Sequence, residues 1–171
     1  MRHLIICSLM ALSLFGCSIR RGGHSQPAPE GPLNYYEYQK SNGRMMYPLK
    51  YIRVDRTEEG GVKLEWSEES DDITVVQLAP DALEHIDALF KEYGLKKLKT
   101  LYLPWGDVRD GIMWHAYFGY AVHSVSTGGD QAWPPERLNN GILAINDWLD
   151  AQVKDAPESA VIGHRSHQNR D

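Results

Sequence analysis

The stretch Ser126-Thr127-Gly128-Gly129-Asp130-Gln131-Ala132-Trp133-Pro134-Pro135 sets two glycines, a carboxylate, a carboxamide and an indole in front of two prolines. Backbone N–H groups at a helix start, approached over glycine, would make a cradle for an anion or a carboxylate. Two prolines remove two of those donors. The same residues also serve as a strand-to-helix joint. Glycines allow positive φ, Asp130 or Gln131 offers a side-chain bond near the helix start, and Pro134 suits the first turn. The joint accounts for more of the residues. Nearby, Ser124 or Ser126, His115 or His123, and Asp110 or Asp130 are the side-chain types of a hydrolytic triad. No nucleophile-elbow motif surrounds either serine, and a triad is defined by geometry, not by spacing.

Metal and cofactor chemistry has less support. A predicted hairpin turn separates His115 from His123, and His164 and His167 fall in the C-terminal stretch. The run Glu68-Glu69-Ser70-Asp71-Asp72 lacks the glycine and the terminal glutamate spacing of a calcium loop. No metal and no cofactor is expected. The aromatics are more informative. Trp66, Trp114 and Trp148 fit a core, whereas Trp105 and Trp133 stand beside prolines in loop contexts, where an indole becomes a platform for sugar or peptide. The candidate ligand patch is therefore Trp105, Asp110, His115, Asp130, Gln131 and Trp133, around one end of a sheet.

The amino terminus has a different character. A short basic start, Arg2 and His3, precedes the apolar run from Leu4 to Gly16. That run falls short of the about 20 residues a bilayer span needs, and it reads as a cleavable signal. It ends in Leu14-Phe15-Gly16-Cys17, which resembles the lipobox of bacterial lipoproteins through Leu14, Gly16 and Cys17. The resemblance implies cleavage before Cys17 and acylation of that residue, and several acyl chains together anchor stably. Cys7 leaves with the signal and Cys17 carries lipid, so no thiol remains for disulfides, thiolate catalysis or cysteine metal sites. Ser18 and Arg20-Arg21 follow in place of an acidic retention or export signal. The expected location is periplasm-facing, at the outer membrane in preference to the inner.

The chain carries 18 basic and 23 acidic residues, a net charge of −5, with no basic stripe for nucleic acid. Its expected organisation is a signal peptide over 1–16, a lipidated cysteine with a Gly/Pro/Ser-rich tether over 17–33, one domain over 34–152, and a flexible tail over 153–171. Within the domain, "YYEYQ", "LKYIRVDR", "VKLEWS" and "ITVVQL" read as an antiparallel meander. Ala79-Pro80-Asp81 starts a helix in which Leu83, Ile86, Phe90 and Tyr93 share a face, and Gly94 stops it. Each of those side chains is worth roughly 1.5–3 kcal/mol on burial, so the helix must lie on the sheet. "LKTLYLP" reads as a further strand. "VRDGIMWHAYFGY" and "HSVSTGG" read as two more around a turn near Ala121-Val122, with His115 on the more exposed face. A second helix opens at Pro134-Pro135 with Leu138, Ile142, Ile145 and Leu149 on one side, and Gly141 inside it costs about 1 kcal/mol relative to alanine. The fold class is α+β: an antiparallel sheet of about six to seven strands covered by two amphipathic helices.

Asp110-Gly111-Ile112-Met113-Trp114, a hairpin, then Gly129-Asp130-Gln131-Ala132-Trp133-Pro134 resembles the D-G-x-x-W, hairpin, G-x-N-x-x-P pattern of small uncharacterised bacterial lipoproteins. The resemblance covers roughly Tyr36 to Leu149, with Gln131 where asparagine is usual. It implies a compartment and a domain type, and it carries over no catalytic residue. The expected function is a non-enzymatic, lipid-anchored binding domain of the cell envelope. It would hold the membrane through Cys17 and meet an envelope protein or a glycan, with no nucleic-acid partner. An envelope hydrolase is the alternative.

Overall fold

A computed structural model describes residues 26–106 and 111–169. Cys17, the signal and most of the tether lie outside the described residues, as does Asp110. The strands are β1 (Glu30–Asn42), β2 (Lys50–Arg56), β3 (Val62–Glu68), β4 (Asp72–Leu78), β5 (Ile112–Val122), β6 (Val125–Asp130) and β7 (Val161–Ser166). The helices are α1 (Ala82–Tyr93) and α2 (Glu136–Lys154). All seven strands form one sheet in the order β6-β5-β1-β2-β3-β4-β7, and every neighbouring pair runs antiparallel. The α+β class stands.

Period-two alternation decides the two faces. Cross-strand register puts Tyr36 opposite Val54 and Phe118, and Tyr38 opposite Ile52 and Ala116. These even-numbered positions are buried with Leu64, Val76 and Trp114 against Leu83, Ile86 and Phe90 of α1 and Ile142, Ile145 and Leu149 of α2. In β2 to β5, and in β1 from Tyr35 onward, odd-numbered positions turn to the face that neither helix covers; in β6 the parity reverses, with Val125 and Thr127 on the helix side and Ser126 and Gly128 on the open side.

Both helix ends follow backbone chemistry. Gly94 takes φ 71°, and its N–H donates to the carbonyls of Lys91 and Phe90, closing α1. Pro80 precedes the helix instead of occupying its first turn, and Asp81 makes no side-chain cap bond.

Four expectations need correction. The stretch expected as a flexible tail contains the last residues of α2 and the edge strand β7, with a 3-10 turn over His167–Asn169. The expected tether reaches only as far as the start of β1 at Glu30, and Leu33 is already core. "LKTLYLP" is not a strand; it follows a 3-10 turn, Leu95–Lys97, and then makes only isolated bridges, at Lys99 and, to Gly129, at Tyr102. The β5–β6 turn falls at His123-Ser124, with His123 at φ 56°, two residues later than expected.

Gly141 explains itself through packing. A Cβ there would stand 2.5 Å from Tyr93 Cβ and 2.8 Å from Leu95 Cδ2, so the absent side chain lets α2 approach the end of α1. Helix propensity alone would make Gly141→Ala stabilising by about 1 kcal/mol. The contact reverses the sign, and we expect urea unfolding to show Gly141→Ala destabilised by about 1–3 kcal/mol, the usual cost of overpacking.

Candidate functional site

The outer edge of β6 is where the predicted patch and the loop after α1 meet. Tyr102 donates its N–H to Gly128 O (2.8 Å) and accepts from Asp130 N (3.3 Å). Thr127 Oγ1 donates to Lys99 O at 2.7 Å. Gln26 closes the other half of the edge: its Nε2 donates to Leu98 O (3.3 Å) and its Oε1 accepts from Ser126 N (2.8 Å). The segment from Leu98 to Tyr102 is thereby held alongside β6 without being a strand.

An aromatic stack stands at the end of this edge. Trp114 lies 5.4 Å from Trp133 at 9° between planes, and 6.2 Å from Tyr102 at 27°. Its indole N–H donates to Ala132 O at 2.8 Å, and Gln131 N donates to Ile112 O at 2.9 Å, which ties the Trp133 loop to the first residues of β5. Trp114 is 3% exposed, Trp133 44%, and Trp105 wholly exposed, as the sequence contexts of the three indoles predict. Leu101 and Leu103 are also about half exposed.

The glycines of the joint work differently from expectation. Gly128 and Gly129 lie inside β6, and Gln131 takes the left-handed conformation at φ 45°. A Cβ on Gly129 would meet Ala132 O at 2.2 Å and the Trp114 ring nitrogen at 2.6 Å; on Gly128 it would meet Trp114 O at 2.8 Å. These glycines are needed for close approach. α2 begins after Pro135 with no side-chain cap, so neither Asp130 nor Gln131 performs that role.

The predicted patch divides between two faces. The register places Met113 opposite Asp130 and His115 opposite Gly128, on the face without helices, whereas Trp114 packs into the core face and carries Trp133 with it. His115 Nε2 does meet Ser126 Oγ at 3.3 Å, on that open face and exposed. Among the described residues no carboxylate hydrogen-bonds to His115, so Asp130 does not serve as the orienting third member of a triad; Asp110 lies outside the described residues. Among the described residues no group of three or more His, Cys, Asp or Glu is arranged to hold a metal ion.

Sequence reasoning missed a polar cluster on the open face. Glu65 is only 2% exposed and pairs with Arg165 of β7, with Lys63 Nζ at 3.4 Å, and accepts from Tyr51 OH at 3.3 Å. Ser67 Oγ and His167 Nε2 are 2.9 Å apart, and the His167 ring stands 5.1 Å from the Tyr51 ring. Ser67 is fully buried, so this serine–histidine pair offers no access to a substrate and serves as a clasp for the chain end. Arg165 and Glu65 are 100 residues apart, and no local pattern announces their contact.

Two cavities lie elsewhere. One, about 320 Å³, is lined by Ala28, Pro29, Gly31, Phe90, Lys91, Gly94, Lys96 and Tyr120. At its wall Tyr120 OH donates to Asp87 Oδ1 at 2.7 Å, and burial together with that carboxylate pushes the phenol well above its ordinary value. The other, about 210 Å³, includes Tyr38, Lys40, Lys50, Asn146 and Asp150. Asp150 Oδ1 accepts from Lys50 Nζ at 2.6 Å and from Trp66 Nε1 at 2.7 Å, fastening α2 to β2 and β3. Tyr36 OH donates to Asn146 Oδ1 at 2.6 Å beside it. Neither cavity is lined by His115 or Ser126.

The fold and these sites define an α+β domain whose single sheet is helix-covered on one face and polar on the other. No protein-family model and no curated protein matches the chain.

Two measurements test the electrostatics. Arg165→Met removes the β7 partner of Glu65 and leaves it with Lys63, Tyr51 and the cross-strand Arg53, and should lower unfolding free energy by about 2–3 kcal/mol. Pairing it with Glu65→Met should restore part of the loss, since a buried pair replaced as a whole costs less than one broken. Burial pushes the Tyr38 phenol up to about 12. The neutral form is favoured on folding, so its contribution is complete below about pH 10 and is lost as pH rises through 12. Urea unfolding of Tyr38→Phe should match the parent near pH 7 and exceed it by on the order of 2 kcal/mol at the upper end of that window.

Proposed function

We propose that the chain is a lipid-anchored, non-enzymatic binding domain of the cell envelope, facing the periplasm and acting through the β6 edge. One observation carries this reading. Leu101, Leu103, Trp105 and Trp133 are all at least 44% exposed, beside a backbone fixed by Tyr102, Trp114 and Gln26. Large apolar side chains held out in water on a rigid support are the usual mark of an interaction surface. The anchor comes from the lipobox resemblance at Cys17, and the tryptophans supply contact area at low entropic cost.

An envelope hydrolase built on His115 and Ser126 is the second reading, favoured by their 3.3 Å contact. Among the described residues their contact is exposed and no carboxylate orients the histidine, which gives general-base catalysis less support.

Chemical cross-linking of the full-length chain in its own membrane decides between them. We expect cross-links, whether to lipid or to protein, to concentrate at residues 96–106 and 131–135, and to fall about tenfold in Trp105→Ser/Trp133→Ser, as for the loss of two anchoring aromatics. Cross-links that map instead to β7, or that ignore the double substitution, would sink the β6-edge reading. Ester or amide hydrolysis by the purified full-length chain that is lost in His115→Ala and kept in the tryptophan variant would establish the hydrolase.

A further inference from the structure

The segment from Leu95 to Gly106 holds Lys96, Lys97 and Lys99 and no acidic residue, in a chain whose net charge is −5. All three lysines are exposed. Just beyond them Leu101 and Leu103 are 46% and 48% exposed, and Trp105 projects entirely into solvent. Leu95, Leu98 and Tyr102 point the other way, two into the core and the third onto Trp114. The hydrogen bonds of Leu98, Lys99 and Tyr102 to Gln26 and β6 fix the backbone between them. The outward side chains therefore cannot escape water by turning in. Ammonium groups followed by leucines and an indole, set along an outer sheet edge, match a planar partner that is anionic at its surface and apolar just beneath.

The chain's own connection leads to the same edge. Gln26, whose side chain bridges Leu98 and Ser126, lies nine residues after Cys17. Even fully extended, nine residues reach at most about 32 Å, so an acylated Cys17 confines this edge to the neighbourhood of its bilayer. Confinement of that kind raises effective concentration, and a surface of modest affinity then stays engaged.

We infer that Lys96, Lys97 and Lys99 with Leu101, Leu103 and Trp105 form a docking strip for the anionic face of the bilayer that holds Cys17. The lysines meet lipid phosphates, and Trp105 with its two leucines enters the headgroup layer. This rests on the reading of Cys17 as the acylated anchor and of the β6 edge as the binding surface; it names the partner of that surface.

The test uses the full-length acylated chain reconstituted in phosphatidylcholine vesicles, with and without phosphatidylglycerol, whose acyl chains carry bromine near the headgroup. Tryptophan emission is compared with that of Trp105→Phe, so that the difference isolates Trp105, and a mass measurement of the amino-terminal peptide accompanies each sample. The expected result is quenching of the Trp105 signal in anionic vesicles, and its loss in Lys96→Glu/Lys97→Glu/Lys99→Glu and in phosphatidylcholine alone. An acylated Cys17 with an unquenched Trp105, or with quenching indifferent to lipid charge and to the lysines, overturns the docking strip. That result leaves the anchor and a protein-facing β6 edge standing, and cross-links from this strip to an envelope protein would point the same way. An unmodified Cys17 overturns anchor and strip together. Every substituted residue is exposed, so loss of fold does not obscure the result.

Discussion

An antiparallel sheet has two edges, and the need to satisfy the backbone of the β6 edge organises the rest of this molecule. Unpaired strand groups at an edge recruit other chains, so proteins cover or interrupt them. Here one carboxamide, Gln26, takes up Ser126 N–H and Leu98 carbonyl at once, and Tyr102 bonds to Gly128 and Asp130. Gly129 has no side chain because Trp114 and the Ala132 carbonyl occupy that space. Edge closure thus brings together the entry of the chain, the loop after α1 and the turn into α2. The exposed leucines and indoles follow from it: Tyr102 and Leu98 are committed inward, and their neighbours are left outside.

The second constraint is that two helices cover only one face of seven strands. The open face is buried in places nonetheless, and by charge instead of hydrocarbon. Glu65 sits under Arg165, and Tyr51 and Ser67 sit under His167. Covering that carboxylate with β7 takes it out of water, and Arg165, Lys63, Arg53 and Tyr51 supply the charges and the hydrogen bond that offset the cost. The charged interior of that face also explains how a chain end so polar in sequence is held as structure.

Much of the architecture was legible because it is written in short periods. Alternation in β2 to β5, the helical spacing of Leu83, Ile86 and Phe90, and Gly94 at a left-handed helix end all act within one element. What failed depended on distant partners. "VIGHRS" has too few apolar residues to read as a strand; it becomes one through Arg165–Glu65 and through pairing with β4. "LKTLYLP" has the composition of a strand, but it meets the sheet edge only at isolated points, Lys99 and Tyr102. Trp105 and Trp133 were legible as exposed from the prolines beside them, whereas the division of the patch between two faces depends on the β5–β6 register. His115 and Trp114 are neighbours in sequence and lie on opposite sides of the sheet. The glycines of the joint read as turn-formers, because close approach, unlike positive φ, leaves no mark on neighbouring residues.

The two edges are treated differently, and the difference gives the domain a direction. β7 is six residues long, its register with β4 shifts between Val75 and Val76, and it carries His164 and Arg165. Shortness, a bulge and charge blunt an edge without covering it. β6 is sealed by the chain itself, and the sealing segment carries the exposed indole and the lysines. Six strand spacings of about 4.8 Å separate these edges, roughly 29 Å. A domain tethered beside β6 and resting on that edge would hold β7, the Glu65 clasp and its chain end at the far side, away from the lipid. In the proposed pose the charged β7 edge would face water, and the lysines, leucines and indole beside β6 would meet a charged and apolar interface, so that each edge would be solvated by what suits it.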